Sequence, residues 1–166
     1  MKFSSQEEYG LRCLLRLGMR HPTDGAAPGS LTIAEVSRQE GLSAAYVAKL
    51  MRVLRTGGLV TSARGAAGGY VLARAPERIS VGEALAVLGG RLYEPQFCKE
   101  HSGDERVCTH SVDCSLRSLW RSLQLVLDQV LDKTTLRDLL CNETEMTSWI
   151  GHLVSVSGLA SNASRN

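Results

Sequence analysis

The feature that most constrains the fold is the run over residues 32–73, where two short helical segments precede a glycine-rich hairpin. Thr32 and Glu35 have the spacing of a capping box, and the helical segment that they open stops at Gly41. Ser43 is placed to cap a second segment, in which apolar residues recur at helical spacing. Two helices joined by a tight turn are typical of a helix-turn-helix.

The segment after the second helix predicts a β-hairpin. Residues 59–62 and 70–73 have the composition of strands, and the sequence between them, with Arg64 and Gly65 at its start, favours a tight turn. A hairpin directly after a helix-turn-helix is a wing. Together with a leucine-patterned helix over about residues 5–19, this predicts a mainly α fold with a small β-hairpin wing, a winged helix-turn-helix domain.

The second half of the chain predicts a long helix that pairs two copies. Apolar residues return at helical spacing from 114 to about 131, and another helix is expected from about 135 to 149. The predicted helix over 114–131 carries an apolar stripe, which consists of Leu116, Leu119, Trp120, Leu123, Val126, Leu127, Val130 and Leu131. A small domain cannot cover such a stripe, so a homodimer is expected. The alternative is a monomer in which the 135–149 helix covers it.

The expected organisation has four parts. A winged-helix domain spans 1–90, a loop with no usable periodicity spans 91–113, dimerisation helices span 114–150, and a disordered tail spans 151–166.

Charge and composition favour a nucleic-acid partner and argue against several other classes. Residues 1–75 carry ten Lys and Arg against five Asp and Glu, so the front half suits a polyanion. No run approaches the roughly 20 apolar residues that span a bilayer, and the N-terminus lacks a signal-peptide pattern, which predicts no membrane and a cytoplasmic location. The sequence has no catalytic triad, carboxylate pair or phosphate loop, so an enzyme is not expected.

The predicted recognition helix presents polar side chains opposite its apolar face. Candidate DNA contacts on it are Ser43, Tyr46, Lys49 and Arg52, and the wing adds Arg64 and Gly65. The second helix of a helix-turn-helix enters the major groove, while a wing arginine can enter the neighbouring minor groove. The expected partner is double-stranded DNA with a pseudo-palindromic operator that matches the two-fold dimer.

Three of the five cysteines lie close together in the sequence. Cys98 and Cys108 are separated by nine residues, and Cys108 and Cys114 by five. Thiolates are the soft ligands that iron–sulphur clusters require, and a helix start at Cys114 favours a thiolate there. A zinc site, a thiol redox switch and inert thiols remain as alternatives. Cys13 is interpreted as a small core residue, and Cys141 as a packing residue or a partly exposed thiol.

The run KLMRVLRTGGLV, continued by SARGAAGGYVLAR, resembles the family of bacterial regulators that includes IscR, NsrR and RirA. The resemblance covers roughly residues 1–140. It implies a winged-helix domain, a long helix that pairs two protomers, and an iron–sulphur cluster held between them by the three cysteines. The residues Ala48 and Lys49 depart from the Glu-Gln pair of IscR-like members, so an IscR-type operator is not expected.

The resemblance also bears on the fourth cluster ligand. IscR-like proteins place a histidine after the third cysteine, but none follows here. NsrR-like members use an acidic residue on the first helix of the other protomer, which implies Glu8. The alternatives are His101, His110 and Asp113. Both cluster types stay open, with 2Fe-2S preferred over 4Fe-4S.

The sequence therefore predicts a DNA-binding transcription regulator, and family analogy favours a repressor. Its operator affinity would be controlled by a cluster that senses redox state, nitric oxide or iron and cluster status. One alternative is a regulator of the same fold that senses thiol oxidation or a small molecule without a cluster. Another is an iron–sulphur or redox assembly protein.

Overall fold

The computed structural model describes residues 3–22, 26–63, 68–91, 93–94, 96–102, 108, 110 and 112–156. The elements in these residues are, in order, α1 (Ser5–Gly18), α2 (Ile33–Glu40), α3 (Ala44–Thr56), β1 (Val60–Ala63), β2 (Gly69–Leu72), a 3-10 turn (Pro76–Arg78), α4 (Val81–Leu88), α5 (Phe97–Glu100), α6 (Ser115–Leu131), a second 3-10 turn (Asp138–Leu140) and α7 (Glu143–Val156). The predicted fold class is confirmed.

Side-chain caps determine where α2 and α3 begin. The Thr32 hydroxyl accepts a hydrogen bond from the backbone N–H of Glu35, and the Glu35 carboxylate accepts one from the backbone N–H of Thr32. Gly41 ends α2 with a φ of 66°, a left-handed conformation that glycine adopts without a steric penalty. Ser43 then caps α3 by accepting from the N–H of Tyr46. The predicted helix-turn-helix is present.

The predicted hairpin is also present. β1 and β2 are antiparallel, with Val60 opposite Leu72. The hairpin is attached to the segment before α2, because the backbone N–H of Tyr70 donates to the carbonyl of Leu31 at 2.8 Å. A Cβ added at Gly69 would lie 2.6 Å from that carbonyl oxygen, so this close approach requires glycine. The tip of the hairpin, residues 64–67, lies outside the described residues.

The segment after α6 returns to the winged-helix core instead of starting a helix. The side chain of Leu136 is fully buried, and its backbone N–H donates to the carbonyl of Ile79. The prediction of a helix over 135–149 was therefore wrong at its start, because burial of Leu136 holds this segment in a turn. α7 instead runs from Glu143 to Val156, so the predicted tail boundary at 151 falls inside a helix. Residues 157–166 lie outside the described part of the chain.

A buried carboxylate joins the first two helices. The side chain of Glu40 is 4% exposed and accepts hydrogen bonds from the guanidinium groups of Arg12, at 2.6 Å, and Arg16. Burial raises the pKa of Glu40, but the hydrogen bonds and charges of the two arginines lower it by more, so its pKa lies below the ordinary value. The ion pairs thus fix α1 against the end of α2, next to the helix-turn-helix turn.

Glu40→Gln is expected to lower the free energy of unfolding by about 1–2 kcal/mol at pH 7, because it removes the charge that pairs with Arg12 and Arg16. The loss is smaller than for a fully buried ion pair, since solvent partly screens both arginines. A carboxyl group with a depressed pKa in the folded state contributes stability above the unfolded pKa of about 4.3, and this contribution is lost as pH falls through the folded pKa. The difference between wild type and variant should therefore shrink below about pH 4. Urea unfolding at several pH values measures it, with the exposed Glu143→Gln as control. A pH-independent difference would contradict the assignment.

Candidate nucleic-acid interface and metal centre

The face of α3 opposite the core is available for DNA. Val47 and Leu50 are fully buried on the inner face. Lys49 and Arg52, two of the predicted contacts, are exposed on the outer face, while Ser43 is exposed but already caps the helix. The helix therefore presents two long cations in the position that a groove-reading helix requires.

Tyr46 differs from the other predicted contacts. Its side chain is half-buried and packs against the hydrophobic core. Its ring meets that of Tyr9 edge-on, with centroids 6.0 Å apart. Only part of the Tyr46 ring is thus free for a base contact, and packing between α1 and α3 is a sufficient reason for an aromatic residue here.

Other exposed cations were not singled out from the sequence. Arg55 lies one turn after Arg52 on α3, and Arg38 lies near the end of α2. The sequence feature that could have identified these two arginines is their positive charge on the solvent side of the two predicted helices. The predicted wing contacts Arg64 and Gly65 lie outside the described residues.

The three candidate cysteine ligands are half-buried free thiols in the segment before α6 and at its start. Cys98 lies on the short helix α5, which the sequence did not predict. Cys114 is the N-cap of α6, and its sulphur accepts a hydrogen bond from the backbone N–H of Arg117 at 3.4 Å. The sulphur of Cys114 thus acts as the side-chain cap of α6.

Aromatic side chains lie around Cys98. The hydroxyl of Tyr93 lies 3.5 Å from its sulphur, and the Tyr93 ring lies 5.7 Å from that of Phe97. The ring of Phe97 stacks on His101 at 4.0 Å. The hydrogen bond with Cys98, followed by burial, raises the pKa of Tyr93, while the charge and hydrogen bond of Arg121 lower it by less.

Glu8, the remaining candidate ligand, is exposed in the first turn of α1. The adjacent Glu7 has a different task, because its carboxylate accepts from the backbone N–H of Ser4 in the capping box. Glu8 is also one of the charges, after Glu40, that raise the pKa of Arg12. Its carboxylate therefore lies on the surface, where a second protomer can approach it.

The candidate ligands do not form a closed site in one protomer. Among the residues that the structure describes, no three His, Cys, Asp or Glu side chains converge closely enough to hold a metal ion. The donor set nevertheless fits an iron–sulphur cluster in its chemistry, since it offers three uncrosslinked thiols in a single segment and a surface carboxylate. Cys13 is fully buried in the hydrophobic core, and this burial raises its pKa to about 12, so it is a packing residue as predicted.

Five of the eight residues in the apolar stripe of α6 are exposed in a single protomer, while Leu127, Val130 and Leu131 are half-buried. The exposed members are Leu116, Leu119, Trp120, Leu123 and Val126, with Leu116 exposed by 59%. Gln124, on another side of the helix, is buried. α7 contacts α6 but leaves these five residues exposed, whereas the monomer alternative required that they be covered. The described residues include no helix that is both long enough and apolar enough for a bilayer.

Comparisons with known proteins agree with this architecture. The model of the Rrf2 family of iron-dependent transcriptional regulators matches residues 3–142. The regulator CymR of Bacillus subtilis is 34% identical over 139 residues, which cover 84% of this chain and 89% of CymR. The structure of CymR, described as the global cysteine regulator, superposes with a TM-score of 0.65 at 31% identity and covers 84% of this chain and 96% of its own.

Two further solved structures are similar. The IscR protein of T. potens is 33% identical, with a TM-score of 0.63, and the match covers 84% of this chain and 86% of that one. The oxidised form of Staphylococcus aureus CymR is 28% identical, with a TM-score of 0.63, over 86% of this chain and 98% of that one. The relatives are named as transcriptional regulators and not as enzymes.

Proposed function

This chain belongs to the Rrf2 family of transcriptional regulators, and from that premise we propose that it is a homodimeric repressor whose operator affinity is set by an iron–sulphur cluster. The observation that carries the proposal is the set of three free thiols: Cys98 on α5, Cys108 in the segment that follows, and Cys114 at the start of the exposed helix α6. A cluster at this place lies beside the surface through which two protomers would pair.

DNA binding is assigned to the outer face of α3. Lys49 and Arg52 are exposed there, and the inner face is locked into the core by Val47 and Leu50. In a two-fold dimer, two such helices read half-sites about 34 Å apart. Arg64 and Gly65 of the wing are assigned to the adjacent minor groove.

The cluster would be held by the three cysteines and by Glu8 of the partner subunit. When bound, it supplies a redox-active and oxidant-sensitive group. Glu8 lies on α1, whose Arg12 and Arg16 hold the end of α2 through Glu40. A carboxylate ligand on α1 would therefore connect the state of the cluster in one protomer with the position of the helix-turn-helix in the other.

A second candidate function keeps the fold and uses the thiols without iron. The support for it is that one similar structure is described as a global cysteine regulator and another as an oxidised form. Cys98 and Cys114 are half-buried free thiols and could react with oxidants directly.

One experiment separates the two candidates. Protein purified without air is expected to be coloured, with iron and acid-labile sulphide in the ratio of a cluster, and to bind operator DNA differently after the cluster is removed. The operator is first selected from random duplexes with the wild-type protein. Colourless protein whose DNA binding responds to thiol oxidation would overturn the cluster and support the second candidate.

Lys49→Ala and Arg52→Ala are each expected to weaken operator binding by roughly 5- to 100-fold, the range for loss of one base or phosphate contact. A phosphate contact would weaken binding to all sequences and reduce the salt dependence, whereas a base contact would relax specificity at one position. Fluorescence anisotropy at several salt concentrations distinguishes the two.

The matched control for this measurement is Lys133→Ala, which removes an exposed cation after the end of α6. It should bind the operator with the wild-type affinity. If the Lys49 and Arg52 variants behave like this control, the recognition surface is not on α3.

A further inference from the structure

Tyr93 connects α6 with the first candidate cluster ligand. Its backbone N–H donates a hydrogen bond to the side-chain oxygen of Gln124 at 2.9 Å. Its hydroxyl lies 3.5 Å from the sulphur of Cys98. Tyr93 is only 7% exposed, and its hydroxyl also makes a side-chain hydrogen bond with Arg121.

Gln124 is itself held in place. It is the buried residue of α6 in a helix that otherwise exposes most of its surface. Its amide nitrogen donates to Asp128 at 2.7 Å, and Asp128 also pairs with Arg91. The segment that contains Arg91 and Tyr93 is therefore attached to α6 by two side chains one turn apart.

A buried polar group needs a reason, because leaving a donor without a partner costs about 1–3 kcal/mol. A phenylalanine would pack against Phe97 as well as Tyr93 does, with the ring centroids 5.7 Å apart. The hydroxyl of Tyr93 adds two polar contacts, one with the sulphur of Cys98 and one with the side chain of Arg121. Packing alone therefore does not explain a tyrosine at this position.

We propose that Tyr93 is a positioning residue for the iron–sulphur cluster: its hydroxyl donates a hydrogen bond to the sulphur of Cys98 and holds that ligand against α6. The inference rests on the proposed function. A hydrogen bond to a ligand sulphur disperses negative charge, favours the reduced cluster and so raises its reduction potential. It also orients the ligand, and loss of such an outer contact typically costs 10- to 100-fold in metal affinity.

The test compares wild type, Tyr93→Phe and Gln124→Met, all purified without air. Tyr93→Phe should keep a cluster but shift its reduced-to-oxidised ratio about tenfold towards the oxidised form, which for a one-electron couple is a fall of about 59 mV. Release of iron to a chelator should be about tenfold faster. Gln124→Met removes the acceptor of the Tyr93 N–H and should accelerate iron release in the same direction.

Tyr70→Phe, which removes a hydroxyl on β2, is the matched control and should change neither quantity. Equal potentials and equal iron release in Tyr93→Phe and wild type would overturn the role of Tyr93 alone. Absence of a cluster from the wild type would overturn the proposed function itself, so the two failures are recognised in different samples. If Tyr93→Phe does not fold, wild-type iron release in Gln124→Met would overturn the proposal.

Discussion

Replacing Leu119 and Leu123 together by glutamate is expected to produce a folded monomer that binds its operator at least about 100-fold more weakly than wild type. Both side chains belong to the apolar stripe of α6 and are 48% and 40% exposed in a single protomer. The substitutions therefore leave the core of the protomer intact. In a dimer they would place four uncompensated carboxylates at the pairing surface, where burying them is strongly unfavourable.

The loss of DNA affinity follows from the loss of pairing. A dimer binds its second half-site at a high effective concentration after the first is bound, and a monomer lacks this gain, which is commonly 100- to 10,000-fold. Analytical ultracentrifugation gives the oligomeric state, circular dichroism verifies the fold, and anisotropy with the selected operator gives the affinity.

Leu125→Glu is the matched control, because Leu125 is also exposed, by 62%, and lies on the same helix. Two residues after Leu123 it points about 200° away around the helix axis, outside the apolar stripe. This variant should remain a dimer with nearly unchanged operator affinity. A dimeric Leu119/Leu123 double variant would show that pairing uses another surface.

The winged helix was predictable because its signals are local. Capping residues such as Thr32 and Ser43 determine where helices begin, and Gly41 ends α2 in a left-handed conformation that glycine readily adopts. Both signals can be recognised from residue type and position in the sequence. The spacing of leucines on α6 similarly predicted both its bounds and an uncovered apolar face.

The parts that were missed depend on contacts between distant segments. Leu136 is held by Ile79, far away in sequence, so its helical pattern did not produce a helix. α5 is a single turn, too short for a periodic signal. Tyr93 is not part of any sequence motif. Its place next to Cys98 depends on a hydrogen bond from its backbone N–H to Gln124 of α6, which lies 31 residues away in the sequence.

The metal centre stays a prediction in its donors as well as in its assembly. Thiol chemistry and spacing make Cys98, Cys108 and Cys114 candidate ligands, but these side chains do not converge within the described part of one protomer. A ligand from a second protomer, which the family resemblance implies for Glu8, would not be encoded in a local sequence pattern. The role of Glu8 consequently comes from the family resemblance and stays a prediction.

Replacing any one of Cys98, Cys108 and Cys114 by serine is expected to abolish the cluster, which is the largest spectroscopic change that the proposed function implies. A cluster of this kind needs soft thiolate ligands, and a serine hydroxyl is both harder and protonated at neutral pH. Iron and sulphide content, together with the visible absorption of protein purified without air, should fall to background in all three variants.

Glu8→Ala should behave differently, because an oxygen ligand is weaker than a thiolate. This variant is expected to keep an altered cluster that loses iron faster than wild type does. The matched control is Glu7→Ala, which loses the carboxylate that accepts from the Ser4 N–H in the capping box but no candidate ligand, and it should keep the wild-type spectrum. An unchanged spectrum in Glu8→Ala would assign the fourth position to His101, His110 or Asp113.

Cys141→Ser controls for loss of a thiol as such. Cys141 is exposed and lies between the second 3-10 turn and α7, away from the three candidate ligands in sequence. Its replacement should leave iron, sulphide and absorption unchanged. Since the three ligand variants alter one thiol each, a wild-type cluster in any of them would remove that cysteine from the site. Wild-type clusters in all three would show that the iron, if present, is bound elsewhere.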